Sequence, residues 1–60
     1  MRTFENVIGW TAKIQTYPSN EAKLTIYDRR GNILVKKWYK NQRGARIALG
    51  KYDKNFYEKY

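Results

Sequence analysis

Residues 22–40 have the sequence AKLTIYDRRGNILVKKWYK, and this stretch decides the predicted fold. Its centre, residues 28–31, reads Asp-Arg-Arg-Gly. In such a turn the Asp side chain accepts a hydrogen bond from the backbone two residues on, and the Gly supplies a positive φ. Apolar and polar side chains alternate on both sides, with Leu24 and Ile26 before the turn and Val35 after it. Because a period of two is typical of strands that bury one face, the stretch predicts an antiparallel hairpin.

Two further turns extend this hairpin into a larger sheet. Residues 41–44 (Asn-Gln-Arg-Gly) have the same form as residues 28–31, and residues 17–20 (Tyr-Pro-Ser-Asn) contain Pro18, which has no N–H for a strand ladder. Three turns separate four strands, at about residues 8–15, 22–27, 33–40 and 45–49. We therefore expect a mainly β, small α+β fold: a four-stranded antiparallel meander with a short C-terminal helix or turn.

The C-terminal third of the chain has a competing interpretation, a single helix from about residue 42 to residue 60. Five residues recur there at helical spacing: Ala45, Leu49, Tyr52, Phe56 and Tyr60. Gly44 and Gly50 argue against this helix, since each costs about 1 kcal/mol in a helix interior. We expect a strand as far as Leu49 or Gly50, then a short helix from about Asp53 that packs Tyr52, Phe56 and Tyr60 on the sheet.

The residue inventory excludes several classes of function. The 60 residues are predicted to form a single small domain, 1–60, without Cys or His. Disulfide frameworks, zinc-thiolate sites and His- or Cys-dependent catalysis are therefore excluded. Of the five carboxylates, Asp28 and Asp53 have structural roles in a turn and a cap, and the others show no pairing that acid–base catalysis needs. We expect no enzymatic activity, no cofactor and no metal.

Hydropathy bears on the location of the protein. No run of 18 apolar residues occurs, and the first residues lack an apolar stretch typical of a signal peptide. We expect a cytoplasmic protein that does not interact with a membrane.

Charge is concentrated in the middle of the chain. The formal net charge is +8, from 13 Lys and Arg against 5 Asp and Glu. Residues 23–51 contain nine of the cations and one acid, Asp28, whereas the segments on either side hold equal numbers of each sign. A segment with such an excess of positive charge attracts polyanions such as nucleic acid.

The face of the predicted sheet opposite the core combines these cations with aromatic rings. Unpaired bases stack on exposed rings, and Lys and Arg neutralise phosphates. We expect ten residues to contact nucleic acid: Lys13, Lys23, Tyr27, Arg29, Arg30, Lys36, Trp38, Lys40, Arg43 and Arg46. Tyr17 also belongs to this face, whereas Trp10 is predicted in the core. Single-stranded and duplex targets, DNA and RNA, all remain open, because a two-stranded ribbon can also enter a major groove.

A different class of function uses the same surface. A small basic domain rich in Tyr, Trp and Arg is also suited to be an accessory factor or inhibitor that docks on an acidic protein. An open sheet leaves two edges, and pairing of one edge strand across a two-fold axis would give a homodimer. Nucleic-acid binding by a basic, aromatic-bearing sheet face is the function we favour.

Overall fold

The computed structural model describes residues 1–59 as five strands and one helix on a single sheet. The elements are β1 (Arg2–Glu5), β2 (Thr11–Thr16), β3 (Ala22–Tyr27), β4 (Ile33–Tyr39), α1 (Gln42–Tyr52) and β5 (Tyr57–Lys59). The sheet is antiparallel throughout, in the order β4-β3-β2-β1-β5. The first four strands form a meander, as predicted in outline. The chain then crosses the sheet through α1 and adds β5 beside β1.

The hydrophobic core lies between α1 and the face of the sheet that the helix covers, here called the inner face. Its buried apolar residues are Phe4, Ala12, Ile14, Ala22, Leu24, Ile26, Ala45, Leu49 and Phe56. Trp10, predicted in the core, is partly buried against this cluster. The helix packs against β2, β3 and β4. Within residues 1–59 no helix or strand covers the opposite side of these strands, here called the open face.

The turn between β3 and β4 confirms the prediction for residues 28–31. A carboxylate oxygen of Asp28 accepts hydrogen bonds from the backbone N–H groups of Arg30 and Asn32, at 2.8 and 2.9 Å. Gly31 has a φ of +90°, a conformation that residues with a Cβ rarely adopt. Residues 17–20 also form the predicted turn, with the backbone N–H of Asn20 donating to the carbonyl of Tyr17 at 2.9 Å.

The predicted fourth strand is wrong, because residues 42–52 form α1. The side chain of Asn41 does accept a hydrogen bond from the backbone N–H of Gly44, at 2.7 Å, but as a helix N-cap and not as a hairpin turn. In the helix, Ala45 and Leu49 are buried on one side. Burial of these side chains against the sheet outweighs the helix cost of two glycines.

The strand β1 was not predicted, because the turn that follows it was not recognised; the predicted strand at residues 8–15 corresponds to β2. Residues 6–9 read Asn-Val-Ile-Gly, the same pattern as residues 28–31, and they connect β1 to β2. The side chain of Asn6 accepts from the backbone N–H of Ile8 at 3.1 Å, and Gly9 has a φ of +96°. Ile8, predicted to begin an apolar strand face, is exposed in this turn.

The predicted short helix from Asp53 is also wrong. Residues 57–59 form β5, whose residues Tyr57 and Lys59 pair with Glu5 and Thr3 of β1. Phe56 is buried as expected, whereas Tyr52 is exposed. Tyr60 lies outside the described residues. A three-residue strand has little local signal and forms here because β1 presents an edge to pair with.

Candidate nucleic-acid interface

The open face carries cations and aromatic rings in register across β2, β3 and β4. Strand pairing aligns Lys13, Thr25 and Lys36 in one row and Gln15, Lys23 and Trp38 in the next. Tyr27 lies opposite Thr11 at the far end of β3. Because side chains two residues apart along a strand share a face, Lys23, Thr25 and Tyr27 all project from the open face. The open face therefore carries three lysines, with the rings of Trp38 and Tyr27 at its two ends.

Trp38 is an exposed ring with two neighbours. Its side chain lies on the edge strand β4 and 55% of the residue's surface is exposed. The ring of Tyr17 lies beside it, with ring centroids 5.1 Å apart and planes inclined at 40°. The ammonium of Lys23 lies 5.8 Å from the centroid of the same ring. The ring is therefore accessible from solvent, as a predicted contact residue must be.

Tyr27 forms a second aromatic position at the other end of the open face. The ammonium of Lys13 lies 5.7 Å from the centroid of its ring. Beside it is an open groove of about 450 Å³, lined by Gly9, Thr11, Lys13, Tyr27, Asp28, Arg29 and Gly31. A Cβ built on Gly9 would lie 2.7 Å from the Cγ of Arg29. The Arg29 side chain therefore runs directly over the Gly9 backbone.

None of the acids among residues 1–59 pairs with a lysine of the open face, although Glu5 lies on the same side of the sheet, opposite Thr11. Glu58 pairs with Arg2, at 2.6 Å, on the inner-face side, and Glu5 pairs with Lys59, at 3.3 Å, where β1 meets β5. Glu21 accepts from the hydroxyl of Ser19. Within residues 1–59, therefore, Lys13, Lys23 and Lys36 form no salt bridge and are available to an external anion.

The remaining two acids have structural partners. Hydrogen bonds from the turn, led by the backbone N–H of Asn32, lower the pKa of Asp28. Asp53 accepts a hydrogen bond from the side chain of Asn6 at 2.7 Å. Asp28 is thus the one acid that lines the groove among residues 1–59, and its carboxylate is already occupied by Arg30 and Asn32.

The structure divides the ten predicted contact residues among three places. Five lie on the open face: Lys13, Lys23, Tyr27, Lys36 and Trp38. Arg29 and Arg30 occupy the β3–β4 turn at the end of that face, and Lys40 follows β4 directly. Arg43 and Arg46 belong to α1, so the predicted place of Arg46 on a fourth strand of the open face is wrong. Its guanidinium lies 5.0 Å from the centroid of the Phe4 ring, because α1 packs on the inner face.

Sequence reasoning missed part of this surface. Gly9 and Thr11 line the groove but were not predicted to contribute. The signal that would have found them is the spacing of Asn6 and Gly9, which matches that of Asp28 and Gly31. Recognition of this second turn places the two turns at the same end of the sheet, because β2 and β3 are antiparallel neighbours.

Other types of site find little support among residues 1–59. No three His, Cys, Asp or Glu side chains gather there as metal ligands would. No helix in this part of the chain is long and apolar enough to cross a membrane. Comparison with protein-family models, with curated proteins and with solved structures gives no match.

Proposed function

We propose that this protein is a non-catalytic nucleic-acid-binding domain and that the open face is its binding surface. The observation that carries the proposal is the combination of three lysines, Lys13, Lys23 and Lys36, with two rings, Tyr27 and Trp38, on one face where no lysine is paired with an acid. Nucleic acid offers both complements of such a surface, since its phosphates are anionic and its bases are flat.

The lysines supply the electrostatic part of binding. Adjacent rows of the open face are about 6.6 Å apart, since a strand rises about 3.3 Å per residue. Lys36 and Lys23 therefore present charges in neighbouring rows, on adjacent strands. Each phosphate that a lysine neutralises releases a counterion, so affinity falls as salt rises. Contacts to phosphate fix the position of the strand but carry no sequence information.

The rings supply the part of binding that charge alone does not. Stacking of a base on an aromatic side chain contributes about 1 to 3 kcal/mol and tolerates any base. Trp38 offers an exposed ring that is already oriented by Tyr17. Because the ring is exposed on an edge strand, its removal should leave the core intact.

Titration with labelled oligonucleotides at several salt concentrations tests the proposal. We expect the Lys36→Gln variant to lower the salt slope by about 0.7 to 0.9, the value of one phosphate contact. Lys54→Gln is the matched control, because it removes the same charge from the exposed turn after α1. Trp38→Leu should weaken binding at least about fivefold while the thermal unfolding transition is retained.

Two outcomes would overturn the proposal. The first is no binding of any oligonucleotide at low salt. The second is equal binding of oligonucleotides and poly-glutamate with no effect of Trp38→Leu, which would favour an acidic protein surface as the partner.

A further inference from the structure

We infer that the groove beside Tyr27 is a subsite for one unpaired base of a single-stranded nucleic acid, with Lys13 and Arg29 placed for the adjoining phosphates. The inference rests on the proposed function. It adds that the ligand is single-stranded and that one of its bases binds beside Tyr27 on the open face. Trp38, at the other end of the face, would take a different base of the same strand.

The groove has the composition that a nucleotide requires. It combines one aromatic ring, Tyr27, with two cations, Lys13 and Arg29, around a space of about 450 Å³. Gly9 and Gly31 form part of the wall without side chains. Backbone that lacks a Cβ allows close approach by a ligand.

Lys13 holds the position that a base would take. Its ammonium lies 5.7 Å from the centroid of the Tyr27 ring, a cation–π distance. A base that stacks on Tyr27 displaces this ammonium, which rotates on its flexible stem toward the phosphate of the same nucleotide. The exchange keeps the lysine paired at each stage, first with a ring and then with an anion. Lys23 and Trp38 repeat the arrangement at 5.8 Å.

The absence of a side chain at Gly9 leaves space for the side chain of Arg29. The Cγ of Arg29 lies 2.7 Å from the position that a Cβ on Gly9 would occupy, and Cδ lies 3.1 Å from it. A Cβ at position 9 would force the arginine to shift from this course across the turn. Arg29 lines the groove, whereas its neighbour Arg30, in the same turn and also exposed, does not.

The breadth of the open face favours a single strand over a duplex. Lys13, Thr25 and Lys36 span three strands, which is about 10 Å between the outer backbones before side chains are added. A major groove about 12 Å wide admits a helix or a two-stranded ribbon. The one helix of the described residues lies on the inner face. Bases in a duplex are stacked on both sides, so Tyr27 can stack only on an unpaired one.

The spacing of the two rings indicates separate bases. Tyr27 lies four residues along β3 from Lys23, the partner of Trp38 in the register. At about 3.3 Å per residue along a strand and about 4.8 Å between strands, the backbone positions that carry the two rings are about 14 Å apart. This distance exceeds the size of one base, so the rings contact different nucleotides.

Three oligonucleotides with equal numbers of phosphates test the inference on the full chain: an oligothymidylate, the same length with abasic residues, and a duplex. We expect the oligothymidylate to bind at least about fivefold tighter than the abasic strand. Tyr27→Leu should reduce this preference, and Trp38→Leu should reduce the remainder. Circular dichroism and thermal unfolding establish that each variant is folded.

Arg29→Gln and Arg30→Gln form a matched pair, because each removes one positive charge from the same turn. We expect Arg29→Gln to weaken binding of oligothymidylate at least about threefold more than Arg30→Gln, because only Arg29 lines the groove. Equal effects of the two variants, together with an unchanged base preference in Tyr27→Leu, would overturn the groove assignment while the proposed function stands. Binding of the duplex as tightly as the single strand would overturn the single-strand assignment. If the wild type binds none of the three, the proposed function itself fails.

Discussion

The side-chain amide of Asn6 donates a hydrogen bond of 2.7 Å to a carboxylate oxygen of Asp53. The amide oxygen of Asn6 accepts from the backbone N–H groups of Ile8 and Trp10, at 3.1 and 2.9 Å. The other carboxylate oxygen of Asp53 accepts from the backbone N–H of Asn55, at 2.9 Å. One polar pair thus joins the turn before β2 to the segment between α1 and β5. It holds together two turns that are 47 residues apart in sequence.

Substitution Asn6→Ala should lower the free energy of unfolding by about 2 to 3 kcal/mol, because Asn6 is buried and its loss leaves partners without a hydrogen bond. Urea denaturation measures the difference. Asn32→Ala is the control: Asn32 also bonds an aspartate, at 3.2 Å, but it is exposed, and we expect a loss below about 1 kcal/mol. Equal losses in the two variants would show that the Asn6–Asp53 pair has no special role.

Leu49 and Ile47 distinguish the observed helix from a strand. In a strand both side chains share a face, whereas in α1 Leu49 is buried and Ile47 is 55% exposed. Leu49→Ala should therefore destabilise the fold by about 2 to 5 kcal/mol, the cost of a core truncation. Ile47→Ala should change stability by less than about 0.5 kcal/mol. Thermal unfolding of the two variants provides the comparison, and similar losses would contradict the helix.

Gly50 is a position at which a substitution should stabilise α1. It lies inside α1, and a Cβ there would meet no atom within 4 Å. Gly50→Ala should raise the free energy of unfolding by up to about 1 kcal/mol, because alanine is the better helix former. At Gly44 a Cβ would lie 3.4 Å from the side-chain oxygen of the N-cap, Asn41, so Gly44→Ala should gain less. A decrease in stability from Gly50→Ala, measured by denaturation, would be inconsistent with a helix here.

The Arg2–Glu58 pair makes stability depend on acid pH. The pKa of Glu58 is lowered, chiefly because the Arg2 guanidinium donates hydrogen bonds of 2.7 and 2.6 Å to its carboxylate. A carboxyl whose pKa is lower in the folded state contributes stability above its ordinary value of 4.5. That contribution is lost as pH falls through the lowered pKa.

Glu58→Gln should therefore make the fall of stability below pH of about 4.5 shallower. Arg2→Gln removes the partner and should have the same effect on the slope. Asp28, whose pKa is also lowered, retains its share in both variants. Denaturant midpoints measured across the acid range test this, and unchanged slopes in both variants would contradict it.

Arg46 and Lys36 test which side of the sheet binds. The guanidinium of Arg46 lies over Phe4 on the inner face, whereas Lys36 projects from the open face. We expect Lys36→Gln to reduce the salt slope of oligonucleotide binding and Arg46→Gln to leave it unchanged within error. A larger effect of Arg46→Gln, in a variant that remains folded, would move the interface to the helix side.

The parts of the fold that were predictable are those with a local cause. The turn at residues 28–31 needs only the Asp28 side chain and a glycine that tolerates a positive φ, both of which are visible in the sequence. The alternation on either side assigned β3 and β4 correctly, and with them the open-face positions of Lys23, Lys36 and Trp38.

The sequence by itself therefore determined the β3–β4 hairpin, the turn at residues 17–20, the concentration of positive charge and the exclusion of cysteine and histidine chemistry. Tertiary structure decided the rest. An Asp or Asn side chain that accepts from a backbone N–H two or three residues on begins a hairpin turn or caps a helix, so the residues around Asn41 are compatible with either structure. Residues 42–52 become a helix because it buries Leu49 on the inner face, and β5 forms because β1 offers an edge. The open face remains uncovered because α1, the one helix of the described residues, packs on the inner face.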